Sequence, residues 1–156
     1  MERNMVMKKR KMDEEKLEQF LHGHRIATLA VNGDEGWPYA VPVHYLYHQG
    51  YLYFHSAKFG YKMDAIARDG RVCLTIIGDT QVLKEKFTAT FESAVVEGRA
   101  QLVEDDAERL EVLKAMIESW CGTFDAAGQD MIDRTIGRTA VVRVEVERKT
   151  GKAYLG

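Results

Sequence analysis

The chain has 156 residues, 46% of them hydrophobic, and its 24 acidic and 22 basic side chains leave a formal net charge of −2. That length suits one domain with a real core, and the near balance of charge excludes a global attraction to nucleic acid or to an anionic membrane. Cys73 and Cys121 stand far apart with no C-x-x-C, the usage of reduced thiols, and no apolar run approaches the ~20 residues of a membrane span, so the expectation is a cytoplasmic protein.

Residues 1–11 read as a flexible arm carrying the basic run Lys8, Lys9, Arg10 and Lys11, and residues 12–156 as a single domain. Asp13 is placed to cap a helix that carries Glu14 and Glu15 in its first turn and stops at Gly23; Met12 is spaced to staple onto Leu17. Leu17, Phe20 and Leu21 give that helix one apolar stripe. Residues 26–31 read as a buried strand and residues 32–36 as a polar turn.

From Trp37 the pattern becomes period two: Trp37, Tyr39, Val41, Val43, Tyr45 and Tyr47 fall on one parity and Pro38, Ala40, Pro42, His44, Leu46 and His48 on the other. Gly50 permits a turn, and Tyr51, Tyr53 and His55 alternate with Leu52, Phe54 and Ser56, so the segment returns as the second strand of a hairpin. Gly60 then opens a helix that carries Lys62 in its first turn and closes at Gly70. Residues 71–77 read as an apolar strand and residues 78–90 as a polar loop; residues 91–103 are the longest strand, with a bulge expected at Gly98. Asp105 and Glu108 have capping-box spacing ahead of a helix with Leu110, Leu113, Met116, Ile117 and Trp120 on one face, ending before Gly122. A shorter helix spans residues 129–136, and residues 139–148 close the fold as a strand with Val142, Val144 and Val146 on one side and Arg143, Glu145 and Glu147 on the other.

Residues 37–62 concentrate the chemistry. Pro42, inside a strong strand, lacks a ladder donor and demands an edge, a bulge or a ligand beside it. Backbone groups at Val41 and Val43 are then candidates for the polar edge of a planar heterocycle. Ser56 supplies a hydroxyl, and the helix start at Gly60 with Lys62 adds amide donors, dipole and a cation where a phosphate docks.

The pattern V-P-V then Y, followed by G-x-L-Y-F-H-S-A-x-x-G-x-K and the strand F-E-S-A-V-V-E-G-R-A, resembles the flavin-binding split-barrel family related to pyridoxamine-phosphate oxidase, and within it the nitroimidazole-resistance (Nim) branch. The resemblance implies a mainly β fold, a six-stranded antiparallel Greek-key split barrel with peripheral helices, assembled as a homodimer with FMN in grooves between the subunits. It implies an FMN-dependent oxidoreductase that passes electrons from NAD(P)H to a small acceptor such as a nitroaromatic. Carried onto this sequence, the cofactor-binding set is Val41, Pro42, Val43, His55, Ser56, Ala57 and Lys62, completed from the opposing subunit near Glu92 and Ser93, with His55 as the catalytic candidate.

Each of these residues also has a plain reading. Lys62 alone is a solvated charge, and His55 is either a flavin contact or a proton donor. Trp37 and the tyrosines read as packing groups; Trp120 does too, unless it reaches the partner subunit and walls a substrate pocket. His44 and His48 on a strand stand roughly 13 Å apart, too far to share a zinc ion, so no metal is expected. No G-x-S-x-G, P-loop or Rossmann motif is present. Two alternatives stay open: a non-catalytic binder of flavin, deazaflavin or haem, and a pyridoxamine-phosphate oxidase proper, against which stands the lack of an arginine-bearing segment after Tyr154.

Overall fold

The computed structural model describes residues 4–156. Seven strands, β1 (Ile26–Asn32), β2 (Pro38–His48), β3 (Tyr51–Ala57), β4 (Arg71–Ile77), β5 (Gln81–Leu83), β6 (Thr88–Leu102) and β7 (Thr139–Tyr154), alternate with helices α1 (Glu14–Gly23), α2 (Tyr61–Arg68), α3 (Asp106–Cys121) and α4 (Ala126–Thr135). Every pairing is antiparallel, in the order β4-β1-β2-β3-β7-β6, and a further β4 to β6 ladder closes these six strands into a ring. The expected six-stranded split barrel is the architecture seen; β5 is an addition within the expected loop, paired to the start of β6.

Alternation along the strands builds two cores. Leu29, Leu52, Phe54, Leu74, Ile76, Val96, Val142 and Val144 fill the interior of the ring with 0% exposure each. Burying such a side chain contributes about 1.5–3 kcal/mol, against about 0–1 kcal/mol for an exposed ion pair, so this interior decides stability. Helix α1 plugs one end with Leu17, Phe20 and Leu21, and Asp13 caps it by accepting from the Lys16 amide at 2.8 Å. Met12 and Leu17 close over Gly151, where an added Cβ would lie 2.6 and 2.9 Å from them.

The second core lies outside the ring. Leu46, Tyr53 and Val141 present the outer face of β2, β3 and β7 to Val112, Leu113 and Met116 of α3 and Ile132 of α4. Asp105 caps α3 through the Glu108 amide at 3.0 Å, but the reciprocal half of the expected capping box is not made. The Glu108 carboxylate accepts instead from the Tyr53 hydroxyl at 3.0 Å and from Arg143 at 2.7 Å, which ties α3 to β3 and β7. Burial and then this carboxylate push the Tyr53 phenol up to about 12.

Several boundaries move. Helix α4 begins at Ala126, earlier than expected, because Asp125 caps the amides of Ala127 and Gly128. Strand β7 runs on to Tyr154 because residues 148–154 pair with residues 91–97 of β6. The bulge does occur between Glu97 and Gly98; Val146 and Arg148 face those residues and Glu147 is the extra one. Of the N-terminal arm, residues 1–3 lie outside the described residues; Lys11 bridges to Lys152, and the Arg10 guanidinium lies over the Tyr154 ring at 4.3 Å.

Candidate functional site

The site is a gap in the ring. Strand β2 pairs with β1 throughout residues 38–44, yet it meets β3 only where residues 45–48 face residues 51–54. Beyond that point His55, Ser56 and Ala57 pair with β7 alone, so β2 and β3 part company and residues 38–44 keep one open edge. The hairpin behind the gap is a tight turn with positive φ at both Gln49 and Gly50.

Pro42 sits on that open edge, and the phase of the ladder explains why it is tolerated. The Tyr45 amide donates to the Arg25 carbonyl at 2.8 Å. With a two-residue period, the amides and carbonyls of Val43 and Val41 also face β1, opposite Ala27 and Leu29. This corrects the expectation that Val41 and Val43 have free backbone groups. The groups that face the gap belong to Ala40, His44 and the Pro42 carbonyl, and the missing N–H of Pro42 falls where no strand asks for a donor.

Helix α2 is held against this edge. Its first residue, Tyr61, packs at a tilt against Tyr39 of β2 with centroids 4.5 Å apart, and its hydroxyl accepts from the Asp34 amide at 2.7 Å. Arg68 anchors the other end, donating to Asp34 Oδ1 and to the Asn32 carbonyl, each at 2.9 Å. Gly60 enters the helix at φ 134°, a conformation reserved for glycine, and a Cβ there would meet nothing within 4 Å. Lys62 is half-buried in the first turn and makes no hydrogen bond or ion pair among the described residues.

Among the described residues Ser56 is the buried polar residue, at 7% exposure, and its Oγ has no hydrogen-bond partner there. An orphaned buried hydroxyl costs about 1–3 kcal/mol. Its neighbour His55 points to the outer face, where the Trp120 indole of α3 lies edge-on to it at 5.4 Å. The same indole is 5.5 Å from the His44 ring on β2, so Trp120 stands across the two strands where they diverge, with its buried Nε1 also unpartnered. Burial, then the neighbouring His44 and Lys62 charges, hold the His55 imidazole below the usual histidine range. Beside it is a cavity of about 360 Å³ walled by Trp120, Met116, Met131 and Thr135 among others.

The structure places Pro42 on the open edge of β2 and His55, Ser56 and Ala57 on the part of β3 that has left β2, with Lys62 near enough to act on the His55 charge. It does not bring Glu92 and Ser93 to them within one chain: Ser56 faces Ala140 and Ser93 faces Lys152, near opposite ends of β7. His44 was missed as part of the site, because its place beside Trp120 depends on how α3 docks. The period-two pattern, which turned His44 and His55 to the same face, was the signal that could have paired them.

A family model described as pyridoxamine 5'-phosphate oxidase matches residues 13–153, the whole of the ring and its helices. The chain belongs to the pyridoxamine 5'-phosphate oxidase family. Solved structures repeat this fold. A proposed 5-nitroimidazole antibiotic resistance protein from Bacteroides thetaiotaomicron is similar with a TM-score of 0.77 and 23% identity, over 92% of this chain and 86% of that one. A conserved hypothetical protein from Mycobacterium tuberculosis gives a TM-score of 0.83 and 20% identity, over 97% and 90%. An FAD and haem binding protein from Mycobacterium smegmatis gives 0.77 and 17%, over 94% and 74%. A search of curated protein sequences finds no match. At these identities the likeness carries the fold, so within the pyridoxamine 5'-phosphate oxidase family the role of this chain rests on its own residues.

Proposed function

We propose that this protein is an FMN-dependent oxidoreductase that takes electrons from NADH or NADPH and delivers them to a small aromatic acceptor. The observation that carries the reading is the Ser56 hydroxyl, buried and unpartnered among the described residues, on the part of β3 that has left β2 and just before the helix that carries Lys62. Those groups fit a phosphate. Ser56 Oγ, the first amides of α2 and the Lys62 ammonium would hold it, and the Pro42 carbonyl with the backbone of Ala40 and His44 would meet the polar edge of the ring. When bound, FMN supplies reversible two-electron chemistry that no side chain of this protein offers.

The chain's own residues bind and orient. His55, kept neutral, holds an N–H proton at the mouth of the gap, where it can be donated to an oxygen of the acceptor. In this reading Glu92 and Ser93, remote from Ser56 in one chain, reach the groove from a second copy, and the working unit is a homodimer. Support comes from the similar fold named for nitroimidazole resistance and from the one named for FAD and haem binding.

The test is the visible spectrum of the purified protein. A yellow protein bleached anaerobically by NADH or NADPH, with colour restored by a nitroimidazole, is the expected result. A protein that takes up flavin but is never bleached would be a carrier and not an enzyme, and one that takes up no flavin would end the proposal.

A further inference from the structure

Resting on that reading, we propose that the cavity between α3, α4 and the outer face of β3 is the acceptor site, and that it selects uncharged, flat aromatic molecules. The cavity is about 360 Å³, which lies within the range of small-molecule sites and is too small for a dinucleotide. Leu113, Met116, Ile117, Met131 and Ile132 line it with apolar surface, and no carboxylate, ammonium or guanidinium is among the described residues that do so. An ionised ligand would enter without a counter-charge, which a desolvating apolar wall strongly opposes.

The few polar groups on the wall refine the class. Thr135 donates its hydroxyl to the Met131 carbonyl and Thr139 donates to the Thr135 carbonyl, each at 2.8 Å, so both hydroxyl protons are already committed. The uncommitted polar groups are therefore the His55 imidazole and the Trp120 Nε1, which share this wall; burial holds the imidazole below the usual histidine range. A planar ring with hydrogen-bond-accepting oxygens, a nitroarene or a quinone, matches an aromatic wall that carries uncommitted N–H groups. Two methionines, unbranched and polarizable, let the same cavity fit rings of different outline. Trp120 touches His44 of β2 and His55 of β3 where the two strands diverge, so a ligand here lies at the outer mouth of the gap.

The test separates this site from the flavin. Trp120 is one of two tryptophans, so Trp37→Phe leaves it as the sole indole reporter. Its fluorescence is titrated with acetophenone, a neutral ring that flavin does not reduce, and with 4-acetylbenzoate, the same ring bearing a charge. The expected result is saturable quenching by acetophenone, weaker by about tenfold or more for the carboxylate. Met131→Phe, at the half-exposed rim of the cavity, is expected to remove the quenching while circular dichroism and FMN binding stay as in the parent. Equal affinity for both probes, or quenching unchanged by Met131→Phe, would overturn the inference. FMN uptake is read separately by flavin fluorescence, so loss of the flavin reading would appear there and leave the ketone titration interpretable.

Discussion

His55 on β3 and Trp120 on α3 meet edge-on with ring centroids 5.4 Å apart, and through this contact a helix outside the barrel reaches the place where the barrel opens. The imidazole is pulled toward its neutral form by burial and by His44 and Lys62. The unfolded chain has no such bias. Below pH ~6.5 the unfolded state therefore binds a proton that the folded state resists, and stability should fall as pH drops from there through the lowered folded value. Urea midpoints measured between pH 8 and pH 5 should fall less in His55→Gln than in the parent. Parallel curves for the two proteins would show that His55 is not the group responsible.

Ser56→Ala should act with opposite signs on two quantities. Without flavin it removes a buried hydroxyl that has no partner among the described residues, and the unfolding free energy read by denaturant titration should rise by about 1 kcal/mol. With flavin present it removes a phosphate donor, and FMN affinity should fall. A loss of stability without flavin would mean that Ser56 Oγ has a protein partner after all.

Lys62→Ala should weaken FMN binding by ~1.5–3 kcal/mol, the range for a hydrogen bond to a charged group. Since Lys62 makes no ion pair among the described residues, its removal should leave the denaturation midpoint within about 0.5 kcal/mol of the parent. Flavin fluorescence titration measures the first and urea unfolding the second. Unchanged affinity would place the phosphate elsewhere.

A groove shared by two chains makes a complementation test possible. Lys62→Ala and a Glu92→Ala, Ser93→Ala double variant should each bind FMN weakly as homodimers. After unfolding and refolding together, mixed dimers contain one intact groove, so part of the tight binding should return. A protein that sediments as a monomer while binding one FMN per chain would contradict the shared groove.

Gly98→Ala should destabilise the protein by several kcal/mol. A Cβ at this position would lie 2.1 Å from the Glu145 carbonyl oxygen, a backbone atom that cannot move aside without disturbing the β6 to β7 ladder. Equilibrium unfolding gives the value, and a loss under about 0.5 kcal/mol would show that the bulge can shift.

Much of this was legible in the sequence because it is local. Alternation fixes the faces of β2 and β3, Asp13 and Asp105 mark helix starts, and Gly98 marks the bulge. The phase of the β1 to β2 ladder was not legible: whether Val41 or Pro42 turns its backbone to the gap depends on how two strands register, and side-chain parity is the same in either phase. Strand β5 is only three residues long in a polar stretch, and its pairing comes from β6. Glu108 has the spacing of a capping box, but Tyr53 and Arg143, distant in sequence, claim its carboxylate. Trp120 read as one more apolar residue on α3; its station against two histidines is a product of tertiary docking.

The parting of β2 from β3 has a consequence for how such a protein can change. No ladder bond joins the strands there, and the Trp120 indole spans the opening on its outer side, against one histidine from each strand. Substituting that one aromatic resizes the aperture while every rung of the barrel stays in place, so new ligands can be accommodated without rebuilding the scaffold that holds them.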